Sequence, residues 1–257
     1  MKFDKQFFGI AIAVVLFVLP ATDLFASDAR PIPDSSLLKG GQPYFNSANY
    51  QSTIHSSENL SRLAKKQSPL GEDAAAYGFA AKSDDAKFFV IGALYAEALA
   101  HIRGGSLEPA AERLAAIEDQ LIVLEAPGEL YGYISNVRSR VALGKYSADV
   151  LVDMLSFFQP FFEAHARNQS QDKQILFQAG SWLVDMSLTA AADNKALIHQ
   201  AKPQLKYFIE EMKRMDAPKG VLKAYDSIDE IAGKEKISDK DVQKVLKQVK
   251  KIQTILG

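Results

Sequence analysis

Apolar residues recur at intervals of three and four from Ser83 to the end of the chain, without sustained alternation of apolar and polar residues. A period near 3.6 places apolar side chains on one face of an α-helix, whereas a half-buried strand needs a period of two. The clearest case is the aliphatic series from Val242 to Leu256. The sequence therefore predicts that residues 83–257 form an all-α domain.

Eight helices are predicted, and glycine, proline or serine marks most of their boundaries. Gly104, Gly144 and Gly233 are expected to end helices, because glycine adopts the left-handed conformation of a helix C-terminus without strain. Pro160 is expected to kink the fourth helix. The predicted helices cover about 84–103, 107–124, 129–143, a stretch after Ser147, 172–191, a stretch after Pro203, 219–232 and a stretch after Ser238.

The odd-numbered helices begin at intervals of about 45 residues, which predicts four antiparallel hairpins of similar size. Three arrangements are compatible with such hairpins. They can stack, as in HEAT and tetratricopeptide (TPR) repeat proteins, they can close into one helical bundle, or they can form two small bundles.

The first residues have the pattern of a secretory signal peptide. Lys2 and Lys5 precede an apolar run from Phe7 to Leu19, and small residues follow at Ala26 and Ala29. The run covers 13 residues, fewer than the roughly 20 that a membrane-spanning helix needs. We therefore predict a signal peptide at 1–26, with cleavage after Ala26 or Ala29.

Residues 27–82 are rich in proline, glycine and serine and hold only scattered apolar residues. This composition predicts a flexible polar arm with at most short helices. The predicted organisation is a signal peptide (1–26), this arm (27–82) and a helical-hairpin domain (83–257).

The chain contains no cysteine, which excludes disulfides, thiolate catalysis and cysteine-ligated metals. An exported protein without disulfides is more typical of the bacterial periplasm than of eukaryotic secretion. The predicted location is therefore the periplasm, with secretion as the second choice. The formal net charge of −1 gives no general attraction to nucleic acid.

No motif for a nucleophile, a phosphate loop or a dinucleotide site is present. Glu97 and His101 lie four residues apart, a spacing that indicates a contact along one helix more often than a metal site. The sequence therefore predicts no catalytic residue, no cofactor and no metal. A carboxylate-dependent hydrolase stays open as an alternative, because acidic residues on different helices leave no spacing signature.

Two groups of side chains are candidates for binding. Clustered aromatic residues form either a wide buried face or a groove for a partner or ligand, since the four on residues 157–162 do not fit one narrow helical stripe: Phe157, Phe158, Phe161, Phe162 and Trp182. A basic stripe on the last helix either faces solvent while the apolar side of that helix docks on the protein, or forms a second contact with a partner or a membrane surface: Lys240, Lys244, Lys247 and Lys251.

These patterns favour a non-catalytic periplasmic protein that binds another envelope protein or a peptide, as an adaptor or scaffold. The alternative is a helical bundle that encloses a small apolar ligand near the same aromatic side chains.

Overall fold

The computed structural model describes residues 83–257 and shows nine helices and no strand in that range. The all-α prediction is therefore confirmed for this part of the chain. The predicted signal peptide and arm lie outside the described residues. The helices are α1 (Asp84–Arg103), α2 (Leu107–Val123), α3 (Gly128–Leu143), α4 (Ala148–Gln169), α5 (Gln171–Ala191), α6 (Lys195–Gln200), α7 (Lys202–Arg214), α8 (Lys219–Ala232) and α9 (Asp239–Leu256).

The predicted sixth helix, after Pro203, corresponds to α7, and the short α6 before it is the ninth helix, which the sequence did not predict. Ala201 separates the two, and Pro203 lies in the first turn of α7. Proline has no amide hydrogen and its ring clashes with the preceding turn, so a helix starts at such a residue more readily than it continues through it. Over 83–257, none of the helices is both long and apolar enough to cross a membrane.

The helix ends follow capping chemistry that the sequence predicted only in part. Ser238 precedes the last helix as predicted and forms a capping box with Asp241 at the start of α9. Gly144 has the expected left-handed conformation, with φ of 63°. Gly104 and Gly233 do not: both are right-handed, and Gly105 takes the positive φ at the end of α1. The predicted role of Gly104 therefore belongs to the next residue.

The centre of the fold is a contact between α1 and α5 at two glycines. A Cβ added to Gly92 would lie 1.9 Å from the carbonyl oxygen of Phe177, and one added to Gly180 would lie 2.0 Å from that of Phe89. Only glycine permits two backbones to come this close. Every residue from 88 to 102 and from 177 to 190 is buried, so both helices are interior elements.

This contact is reciprocal because the two helices are equivalent parts of a duplicated architecture. Phe89 and Gly92 correspond to Phe177 and Gly180, 88 residues later in each case. Each phenylalanine presents its carbonyl oxygen to the glycine of the other helix. The arrangement therefore has approximate two-fold symmetry at its centre.

The correspondence continues through the turns that follow. The turn after α1 has its positive φ at Gly105 and the turn after α5 at Asp193, again 88 residues apart. Further along, Glu125 and Asp216 both have φ of 52°, and each is followed by Ala-Pro. That offset is 91, because the segment that contains α6, Ala201 and α7 is three residues longer than α2. The first half is thus α1–α4 and the second half is α5–α9.

Each half closes on itself. In the first, α1 packs against both α2 and α4, and in the second, α5 packs against α6, α7 and α9. A linear stack would bring only neighbouring hairpins together, yet α1 and α5 come from the first and third hairpins. One continuous apolar core extends from Phe89 to Ile252. Among the predicted arrangements, the structure is therefore a closed bundle, built from a first half of four helices and a second half of five.

Replacement of either central glycine should be among the most damaging single changes in the protein. In Gly92→Ala or Gly180→Ala the new methyl group meets backbone atoms, which cannot rotate away, so the two central helices must separate. We expect a loss of at least about 3 kcal/mol in the free energy of unfolding, measured by urea denaturation.

Gly132 provides the matched control, since it is exposed within α3 and a Cβ there meets nothing within 4 Å. Gly132→Ala should leave stability unchanged or raise it by up to about 1 kcal/mol. Equal effects of Gly92→Ala and Gly132→Ala would contradict the close approach of α1 and α5.

Candidate functional site on helix α4

The structure divides the five predicted groove residues between the core and the surface. Phe158, Phe162 and Trp182 are 4%, 3% and 0% exposed, whereas Phe157 and Phe161 are 66% and 50% exposed. Both exposed rings lie on α4, with their centroids 5.7 Å apart. Only these two members of the predicted set are accessible to another molecule in this conformation.

Trp182 belongs to a different aromatic cluster, in the second half of the bundle. Its ring centroid lies 5.3 Å from that of Phe208 and 6.0 Å from that of Tyr225. Phe162 instead packs near Tyr95 and Phe177. The structure therefore does not bring Trp182 and the α4 aromatic residues together on one exposed wall.

Buried aromatic residues hold α4 from its inner side. Phe158 stacks on Tyr133 with centroids 4.5 Å apart and planes 4° from parallel. The Tyr133 hydroxyl donates a hydrogen bond of 2.9 Å to the carbonyl oxygen of Met154, and the Tyr95 hydroxyl donates one of 3.1 Å to that of Leu155. These contacts fix the orientation of α4, so the side chains on its outer side are presented by a rigid element.

We define the α4 face as the exposed side chains of Val150, Asp153, Phe157, Pro160 and Phe161. Their spacing of three, four and seven residues places them on one side of the helix. Val150 is 45% exposed, so the face carries three large apolar groups. From the first to the last residue it spans about 16 Å along the helix axis.

The turn between α3 and α4 adds two exposed apolar residues that the sequence analysis did not single out, Leu143 and Tyr146. The Arg140 guanidinium lies over the Tyr146 ring, 5.2 Å from its centroid, and donates a hydrogen bond of 2.9 Å to its hydroxyl. These residues are isolated in the sequence, so their exposure depends on where the turn lies on the surface.

The predicted basic stripe is exposed along α9. The opposite side of the helix is buried against the rest of the bundle through Val242, Val245, Val249 and Ile252. Docking of α9 on α5 and α8 therefore accounts for its amphipathic pattern, with the lysines facing solvent. Whether Lys240, Lys244, Lys247 and Lys251 contact a partner stays a prediction.

Two buried carboxylates have specific hydrogen-bond partners. Glu163 accepts hydrogen bonds from the side-chain amides of Gln159, Gln174 and Gln178, and burial raises its pKa while these bonds oppose the rise. Oε2 of Glu97 lies 3.0 Å from Nε of Arg113. Both carboxylates join neighbouring helices. Within residues 83–257, no three His, Asp or Glu side chains are grouped so that they could hold a metal ion.

The division between core and surface can be tested with adjacent phenylalanines. Phe158→Ala removes a buried ring and should lower the free energy of unfolding by about 3–5 kcal/mol. Phe157→Ala removes an exposed ring and should change it by no more than about 0.5 kcal/mol. Chemical denaturation of both variants measures the contrast, and similar losses would contradict the orientation of α4.

The free energy of unfolding should depend on pH through the buried carboxyl group of Glu97. Burial raises its pKa to about 7, although the Arg113 guanidinium opposes this rise. Between about pH 4.5 and 7 the folded chain therefore binds more protons at this site than the unfolded chain, so the stabilising contribution is lost as pH rises. Burial lowers the pKa of His101 to about 4, so its contribution has the opposite sign and is lost as pH falls from about 6.5 to 4.

Glu97→Gln should consequently gain stability relative to the native chain as pH rises from about 4.5 to 7, by on the order of 1–3 kcal/mol. Urea denaturation at several pH values measures this difference. Glu112→Gln is the control, because Glu112 is an exposed partner of the same Arg113. A Glu97→Gln difference that stays constant with pH would contradict the prediction.

No protein-family model, no curated protein and no solved structure matches the chain.

Proposed function

We propose that the chain is an exported, non-catalytic protein-binding module of the bacterial envelope, which binds its partner on the α4 face. The observation that carries the proposal is the exposure of Phe157 and Phe161 side by side on a helix whose opposite side is fully packed. Exposed aromatic rings are hydrated unfavourably, and a partner that covers them removes this apolar surface from water. Such patches are therefore typical of protein interfaces.

The chemistry of the α4 face indicates the kind of partner. Aromatic anchors on a rigid helix suit the apolar side of another helix or an extended peptide, with polar contacts around it. The N-terminal residues support an envelope location, because Lys2, Lys5 and the run from Phe7 to Leu19 have the pattern of an export signal. No catalytic residue is assigned.

A small apolar ligand is the less favoured occupant. That function needs aromatic side chains that line an enclosed space, whereas Phe157 and Phe161 point outward and Trp182 packs on Phe208 and Tyr225. The α4 face is an open surface, which suits a macromolecule better than a small molecule.

Photo-crosslinking in the producing cell tests the proposal. A photoreactive amino acid in place of Phe161 should join the chain to a specific envelope protein, while the same amino acid in place of Ile122 should not. Ile122 is a suitable control because it is a similarly exposed apolar residue on α2. Identical products from both positions, or none from Phe161, would overturn the proposal.

Two double variants test whether capture of the partner depends on the α4 face and not on a change in the fold. Phe157→Ser/Phe161→Ser should abolish capture of the partner by the tagged chain, because both residues lie on the α4 face. Ile122→Ser/Val123→Ser should retain capture, and it is a matched control because it also removes two exposed apolar side chains. Circular dichroism must first show equal helix content. Retained capture by the α4 variant would contradict the assignment of the site.

A further inference from the structure

The charged residues beside the α4 face are arranged by sign along the helix. Asp153 lies on the N-terminal side of Phe157, and Arg167 lies on the C-terminal side of Phe161; both are exposed. Neither forms a salt bridge within residues 83–257. Along α4 itself, the exposed face thus carries an acidic residue, an aromatic centre and a basic residue in that order. The Arg167 charge also acts on the buried Glu163 carboxyl, and Arg140 lies over Tyr146 beyond the acidic end.

The spacing of these residues suits helix pairing. Val150, Asp153, Phe157 and Pro160 continue as Ala164 and Arg167 at alternating intervals of three and four, which is the spacing of a helix–helix seam. Asp153 and Arg167 are separated by about 21 Å along the axis. Along the helix, Pro160 is midway between Asp153 and Arg167, and Gln159 is midway between Phe157 and Phe161.

Such a pattern complements itself when the helix is turned end to end. In an antiparallel pair in which Phe157 of one helix faces Phe161 of the other, Asp153 faces the level of residue 165, two residues before Arg167. A helical side chain leans toward the N-terminus of its own helix, which directs the long Arg167 side chain toward the opposing Asp153. A parallel pair would place Asp153 beside Asp153 and Arg167 beside Arg167.

We propose that the partner on the α4 face is a second copy of this chain, bound with its α4 antiparallel. This inference rests on the proposed function, since it names the occupant of the same protein-binding surface. A two-fold dimer requires one patch to be complementary to itself, and the order acidic, aromatic, basic has this property. A heterologous partner would not require that symmetry.

The dimer is expected to be weak. Stable interfaces bury about 800 Å² on each partner, and the α4 face is a single helix surface with a short extension at Leu143 and Tyr146. Central aromatic contacts supply most of the affinity, while the charge pairs select the antiparallel register. Dissociation in the micromolar range is therefore expected.

Charge reversal provides the test. Sedimentation equilibrium of the purified chain, at about 1–200 µM protein, should show a monomer–dimer equilibrium. Asp153→Arg and Arg167→Asp should each weaken dimerisation at least about tenfold, because like charges then face each other. The double variant Asp153→Arg/Arg167→Asp should dimerise like the native chain, since both pairs are restored with reversed sign.

A mixture gives a second, independent readout. Equal amounts of the two single variants should form heterodimers, because one then carries two basic ends and the other two acidic ends. Lys223→Asp, a similar reversal on the exposed side of α8 and outside both candidate surfaces, should leave dimerisation unchanged. Circular dichroism of every variant confirms that the fold is retained.

The outcomes separate the dimer from the proposed function. A native chain that stays monomeric, or single reversals that dimerise as well as the native chain, would overturn the dimer. If a photoreactive residue at Phe161 then joins the chain to a different envelope protein, the binding function stands with another partner. A crosslinked product of twice the chain mass supports both.

Discussion

The contact between Gly92 and Gly180 is the constraint on which the rest of the structure depends. It brings the backbones of α1 and α5 together, and residues 88–102 and 177–190 of these helices are buried. An apolar cluster continues toward the C-termini of both helices through Ala93, Ala96, Ala100, Val184, Leu188 and Ala192. Because close-packed backbones leave little room for adjustment, the relative positions of the two halves follow from this interface.

The same interface fixes the position of α4, the helix that carries the proposed binding surface. Phe162 reaches inward to Tyr95 on α1 and Phe177 on α5, while Phe157 and Phe161 point outward from the same helix. The aromatic residues of α4 thus form an inner, buried set and an outer, exposed set. The inner set positions α4 against the central helices, and the outer set is available for association because α4 is held rigidly from behind.

The sequence predicted the helical class and most helix boundaries, since periodicity and capping are local properties. It failed where tertiary contacts decide. Periodicity does not indicate that Gly92 and Gly180 mark a contact between two helices. It places apolar side chains on one face of a helix, whereas residues 88–102 of α1 are buried on all sides. Glu125, Asp193 and Asp216 take left-handed conformations that were expected only of glycine, because a Schellman-type turn at each helix end stabilises them.

In the candidate site, too, some features follow from local sequence and others from tertiary contacts. The sequence alone determined that residues 157–162 carry more aromatic groups than one narrow stripe accommodates, because helical geometry fixes their directions relative to one another. Only the tertiary structure decided which of them face the core, because that depends on how α4 is rotated against α1, α3 and α5. Likewise, the sequence determined that Lys240 to Lys251 share one side of a helix, and the packing of α9 decided that this side faces solvent. Directions within an element are local, whereas burial is a property of the assembled fold.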